Sequence, residues 1–213
     1  MADLASGRYP DSEEEWLLDG SPTPPFRRTI SRRDIVGSSI PKVTTLNVYA
    51  VPVQAGDIFG FVSFLVSVAG GTLTHSWVAV YNGVTTGAAL LAQVADNTTA
   101  TGWAIGAQHL ALASVISNIG TVGTPQGPST APIVASGPAI WGIAFYQSGT
   151  TGDTIDGMVG AAVAGGAVAG QVPMLSQGTL SATGTAPSVL PTMAAAAPTS
   201  ANGGISYLVL SRS

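Results

Sequence analysis

The chain of 213 residues has no cysteine. Disulfides, thiolate metal sites and cysteine nucleophiles are therefore excluded. Charge is nearly as scarce, at 8% of residues against about 25% in an average soluble domain. Long apolar runs are missing too. The longest, Ile58–Gly71 and Met158–Gly170, fall short of the roughly 20 residues that a bilayer-spanning helix requires. No membrane insertion is expected. The N-terminus is acidic and lacks an apolar h-region, so no signal peptide is expected. The common catalytic signatures are absent as well: GxxxxGK[ST], GxGxxG after a strand, GxSxG and HExxH do not occur. No cofactor is expected.

What charge there is sits at one end. Seven of the 11 acidic residues lie in residues 1–34 and six of the seven basic residues in residues 1–42, leaving Asp57, Asp96, Asp153, Asp156 and Arg212 for residues 43–213. A split of this kind marks parts with different jobs. Residues 1–42 read as an extended, charged anchoring arm interrupted by Pro10, Pro22, Pro24, Pro25 and Pro41, since proline removes the donor that helices and ladders need. Ser12–Asp19 fits one short helix, with Ser12 as N-cap and Glu15 as its capping-box partner. Two readings of the arm stay open, a disordered leader or a segment that orders against a partner subunit. Trp16, Leu17, Leu18 and Phe26 favour the second, because disordered chains usually lack apolar clusters. In that reading they fill apolar pockets, and Arg27, Arg28, Arg32 and Arg33 pair with acidic groups of the partner. The same arginines do not make a nucleic-acid footprint: the net charge is −4 and the body carries one base after Lys42.

After Pro41 the pattern is that of strands. Alternation and β-branching predict strands over Lys42–Val53, Asp57–Val68, Leu73–Tyr81, Ala88–Ala95, Trp103–Leu112, Ile140–Gln147 and Ile205–Ser211. Gly60 is a candidate bulge, Gly70-Gly71 a turn and Asn82-Gly83 a hairpin signal. Residues 43–213 are thus expected to be an all-β body, an antiparallel β-sandwich of jelly-roll-like form. Ser114–Gly137 and Met158–Thr199 are rich in Gly, Ala, Pro, Ser and Thr. They read as long ordered loops packed against a neighbouring subunit, or as short strands with small side chains.

Candidate chemistry is thin. His75 and His109 are 34 residues apart and have no ligand-spaced partner, so His75 reads as a structural histidine. Asp153 and Asp156, in a Gly-rich stretch, fit a turn or a weak Ca²⁺ contact better than a glycosidase pair. Asn97-Thr98-Thr99 matches a glycosylation sequon but reads as a polar turn. Strand aromatics are more often core than binding platforms. Trp103 and Trp141 nevertheless remain the candidates for stacking on a neutral glycan. A body covered by Ser, Thr, Asn, Gln and Gly instead of charge fits extensive burial in an assembly, or an extracellular or virion protein, better than a metabolic enzyme.

The stretch Gly56–Leu112 resembles a β-sandwich module of minor tail and other virion structural proteins of tailed phages that infect actinobacteria. The positions that carry the resemblance are Gly56, Asp57, Thr74, His75, Trp77, Ala79, Tyr81, Leu90, Leu91, Ala92, Gln93, Ala95, Asp96, Thr98, Trp103, Gln108, Leu110 and Leu112. Ile140–Tyr146 resembles the module's later aromatic strand. The match covers about a quarter of the chain and is a packing pattern. It implies a non-enzymatic virion protein, assembled in the host cytoplasm and exposed on the particle. Its partners would be other virion subunits and its own copies, a homotrimer being common for such modules. A minor tail protein that contributes to host contact is the first expectation, and a capsid-decorating protein or head fibre the second. A carbohydrate-binding module that meets a host surface glycan through its tryptophans is the rival from another class, and a glycan hydrolase using Asp153 and Asp156 is a third.

Overall fold

A computed structural model describes residues 26–29, 35, 37–114, 116–117, 121–122, 132–158, 173–197 and 202–212. These residues form strands and no α-helix, and every strand pairing is antiparallel. The expected all-β class is what the chain adopts. The helix expected at Ser12–Asp19 lies outside the described residues, as do Trp16, Leu17, Leu18, Arg32 and Arg33.

Strands are numbered in chain order. The front sheet runs β1 (Phe26–Arg28), β18 (Val209–Ser211), β5 (Phe61–Val68), β14 (Thr154–Met158) and β17 (Ile205–Ser206), with β2 (Gly37–Ser39) beside β14 and β8 (Gly106–Ala111) beside β5. The back sheet runs β16 (Ala194–Ala195), β15 (Leu175–Thr179), β3 (Thr45–Val53), β13 (Ala139–Ser148), β6 (His75–Tyr81), β7 (Leu90–Gln93) and β9 (Ala113–Ser114). Two small pairs complete the set: β4 (Ile58–Phe59) with β12 (Ile133–Val134), and β10 (Ile116–Ser117) with β11 (Thr121–Val122).

The core lies between the two sheets. In β5, Val62, Phe64 and Val66 are buried while the residues between them are not, as a strand with one covered face requires. Opposite them, the back sheet contributes Ile143, Phe145, Tyr49, Val51 and Val80. Phe64 meets Phe145 edge-on at 5.6 Å and Trp103 at 5.2 Å, a geometry favoured by the ring quadrupoles.

The central strands of the back sheet are buried on both faces. Their outer face is sealed by the chain's own residues 180–197. Trp77 Nε1 donates to the carbonyl of Thr183 at 2.9 Å, Tyr81 Oη to that of Pro187 at 2.9 Å, and the Ala186 amide to Gln93 Oε1 at 2.9 Å. Backbone bonds between Leu190 and Gly87 and between Leu190 and Ala88 hold the far end. Trp77 and Tyr146 stack at 5.0 Å beneath this strap. The described part of the Gly/Ala-rich stretch, expected to pack on a neighbouring subunit, covers its own sheet.

The expected boundary between residues 42 and 43 is also corrected. β1 pairs with β18 and β2 with β14, so two strands of the front sheet come from the expected arm. Other differences are smaller. Gly60 separates β4 from β5. The hairpin after Tyr81 is longer than a two-residue turn, β7 beginning at Leu90, with the Ala89 amide bonded to Asn82 Oδ1 at 2.7 Å. Trp103 lies before β8 rather than in it.

Candidate functional site

Arg27 alternates inward between Phe26 and Arg28 and is 1% exposed. Its Nε donates to Asp57 Oδ2 at 2.6 Å and its Nη2 to Asp57 Oδ1 at 3.1 Å. The Gln54 amide donates to Asp57 Oδ2 at 2.7 Å. This is a two-pronged, dry ion pair. Arg27 was expected to reach a partner subunit; instead its charge is neutralised inside its own fold. Arg28 points outward, 5.6 Å from the Phe26 ring centroid, a cation–π contact.

Trp103 and Trp141 are 7% and 6% exposed. Trp103 packs on Phe64 and Phe145, and Trp141 meets Phe59 at 5.8 Å. Neither offers a ring face to a sugar, which corrects their expected role as glycan contacts. The aromatic content of these strands serves the core.

Asp153 is buried and accepts from the Gly70 amide at 2.7 Å, from the Trp103 amide at 3.3 Å and from Gln147 Nε2. Gln147 Oε1 in turn accepts from the Asp153 amide at 2.9 Å, and its Nε2 also reaches Ser76 Oγ at 3.0 Å. Burial pushes the Asp153 carboxyl above the ordinary carboxylate range, and these donors pull the other way. Gly102, at φ +69°, brings its Cα so close that a Cβ would meet the carboxylate. The group fastens the turn after β5, the segment before β8 and the end of β13 to one another.

Two histidine contacts were not visible in the sequence. His75 Nδ1 lies 2.6 Å from Asp96 Oδ2, and Asp96 Oδ1 accepts from the Ser76 amide at 3.0 Å. Gly184 of the strap packs against this pair, where a Cβ would stand 3.1 Å from His75 Nδ1. On the front sheet, His109 Nδ1 lies 2.8 Å from Ser63 Oγ, and its ring stacks on Phe61 at 4.4 Å. The register Ser63↔His109 places them opposite each other. Among the described residues no carboxylate contacts His109, so nothing there fixes the ring as the base of a nucleophilic triad.

Among the described residues no group of three or more His, Asp or Glu could hold a metal ion, and no helix is long and apolar enough to cross a membrane. The buried hydroxyls of Tyr49, Tyr81 and Tyr146 all titrate above the ordinary tyrosine range because burial disfavours the phenolate. Tyr49 Oη accepts from Ser206 Oγ at 3.2 Å across the core. Compared with known proteins, the chain matches no family model and no curated protein sequence.

Proposed function

We propose that the chain is a non-enzymatic structural subunit of a phage particle, a minor tail protein that displays the sandwich and is attached through its N-terminal segment. One observation carries the non-catalytic part of this reading. Three ionisable sites of the body are engaged as fasteners: Arg27 with Asp57, His75 with Asp96, and Asp153 with three donors. The particle part rests on the resemblance over Gly56–Leu112 and on a surface of small neutral residues, which suits burial among neighbours. Two strands of the front sheet belong to the expected arm, so the attachment segment shortens to residues 1–25.

The reading is tested on phage particles purified from a culture that makes the chain. An antibody raised against it should label the tail under the electron microscope, and its peptides should copurify with the major tail protein. A chain found free in the lysate and missing from washed particles would overturn the proposal. Light scattering on the full chain measures the accompanying oligomer, which should have the mass of three 21.2 kDa subunits.

A further inference from the structure

One buried cluster holds the parts of a reaction as well as those of a fastening. Ser76 and Gln147 stand directly opposite each other in the pairing of β6 with β13. Ser76 is 0%, Gln147 1% and Asp153 0% exposed, so bulk water is kept from all three. Gln147 Nε2 reaches Ser76 Oγ at 3.0 Å and also touches Asp153 Oδ2. Gln147 Oε1 accepts from the Asp153 amide at 2.9 Å. The chain turns back this tightly because residue 152 is a glycine, where a Cβ would stand 2.7 Å from Gln147 Oε1. The carboxamide is thus held with a hydroxyl and a carboxyl at its nitrogen and an N–H at its oxygen.

Acyl transfer needs these groups in this order. The carboxamide carbon is the electrophile and Ser76 Oγ the nucleophile. Charge that develops on Gln147 Oε1 falls on the Asp153 N–H, as in an oxyanion hole. The hydroxyl already touches the amide nitrogen, so a shift of one bond length brings it to the carbon. Groups held in such contact react as if at very high concentration. Burial raises the Asp153 carboxyl above the ordinary carboxylate range, which suits it to proton transfer at the neighbouring nitrogen. Other glutamines lack the combination. Gln93 Oε1 accepts from the Ala186 amide, and Gln177 Nε2 donates to Asn47 Oδ1 and to the Asn202 carbonyl.

We propose that in the folded chain Ser76 and Gln147 react with each other and form an intramolecular ester between β6 and β13. The Oγ–H bond of Ser76 and the Cδ–Nε2 bond of Gln147 break, and an Oγ–Cδ bond forms. The hydroxyl proton leaves on the amide nitrogen as ammonia, with the Asp153 carboxyl as its relay, so Asp153 ends unchanged and no oxidant or co-reactant is required. The link ties two central strands of the back sheet through residues 71 apart in sequence, and like any cross-link it restricts the unfolded chain. The same dry site then shields the ester from hydrolysis. The inference concerns the chain alone and stands or falls separately from the phage reading.

Intact mass spectrometry of the purified full chain, unfolded in acid after folding, tests the link. The wild type should weigh one ammonia less than Ser76→Ala once the substitution itself is subtracted. That comparison cancels any ammonia lost at Asn82-Gly83 or Asn202-Gly203. A second readout uses the wild type alone and needs no variant to fold. Chymotrypsin cuts after Leu73, Trp77 and Tyr146, so the linked chain should yield residues 74–77 joined to the peptide that starts at Gln147. Hydroxylamine should part the two, leaving a free serine and a hydroxamate at position 147. A folded wild-type chain with the full mass of its sequence would overturn the proposal, as would an ammonia loss that persists in Ser76→Ala.

Discussion

Replacing Arg27 isolates the contact that joins the first described strand to the body. The pair it makes with Asp57 is dry, with side-chain exposures of 1% and 0%. Arg27→Met keeps a side chain of similar length and removes the charge. It leaves the Asp57 carboxylate with the Gln54 amide at 2.7 Å and no counter-charge in place of the guanidinium. Breaking a buried pair from one side costs roughly 3–5 kcal/mol, because the remaining charge is stranded. Against a total stability of about 5–15 kcal/mol, that is a large fraction. Asp57→Leu should also destabilise the fold, by removing the carboxylate that accepts from Nε and Nη2 of Arg27. The double variant should be more stable than either single one, since a well-packed apolar pair often replaces a buried ion pair without loss. Urea denaturation followed by tryptophan fluorescence gives all four corners of the cycle. β1 has three register pairs with β18, so hydrogen exchange at Val209–Ser211 should speed up most. A loss below about 1 kcal/mol for Arg27→Met, the behaviour of an exposed pair, would refute the placement of Arg27 in the core.

Two further outcomes follow from close contacts and from burial. Gly142 lies under the loop after Tyr81, where a Cβ would press on the Gly83 carbonyl and stand 2.6 Å from Val48 Cγ1. Gly142→Ala should cost about 1–3 kcal/mol of stability, whereas Gly137→Ala, with nothing within 4 Å of the new carbon, should be neutral or slightly stabilising. Thermal melts separate them at about 2–4 °C per kcal/mol for a chain of this length, and equal melting points would refute the packing argument. Asp153 supplies a pH dependence. Its carboxyl is raised in the folded state above the reference value of 3.8, so between those two values the native state binds more protons than the unfolded one. Its contribution to stability therefore rises as pH falls through that window. Melting temperatures of the wild type minus those of Asp153→Asn should climb as pH is lowered toward 3.8, and a difference that falls instead would show that the donors outweigh burial.

The sequence was most informative where side chains alternate over six or more residues. β3, β5, β6 and β13 all overlap strands legible from that period, because each buries a row of Val, Ile, Phe or Tyr. The same reasoning made core the more frequent fate of strand aromatics, and Trp103 and Trp141 followed it. β1 escaped because it is three residues long and its partner β18 lies at the other end of the chain. A period cannot be read from three residues, and a pairing of that separation leaves no local trace. Arg27 was misjudged for a related reason: an Arg-Arg doublet in a charged stretch looks like surface, and Asp57 is 30 residues away. The strap escaped because it is ordered by bonds to its backbone carbonyls and amides, which any residue carries.

The few charges of the body have a common geometry. Arg27 and Asp57 hold the entering strand, Asp153 gathers the turn after β5, the segment before β8 and the end of β13, and Asp96 with His75 lies where Gly184 of the strap comes down. Each stands where a short strand, a turn or the strap meets the rest of the sandwich. Apolar burial is non-directional, so it cannot by itself set the register of a three-residue strand or of a strap built from Gly, Ala, Pro, Ser and Thr. Buried hydrogen-bonded groups can, since a slip by one residue would leave a charge without its partner in a dry site. A body with four carboxylates that uses three of them in this way has its charge committed to holding the fold. On this argument, substitutions among the exposed Ser and Thr should be tolerated, whereas neutralising any one of Asp57, Asp96 or Asp153 should loosen the particular segment it fastens.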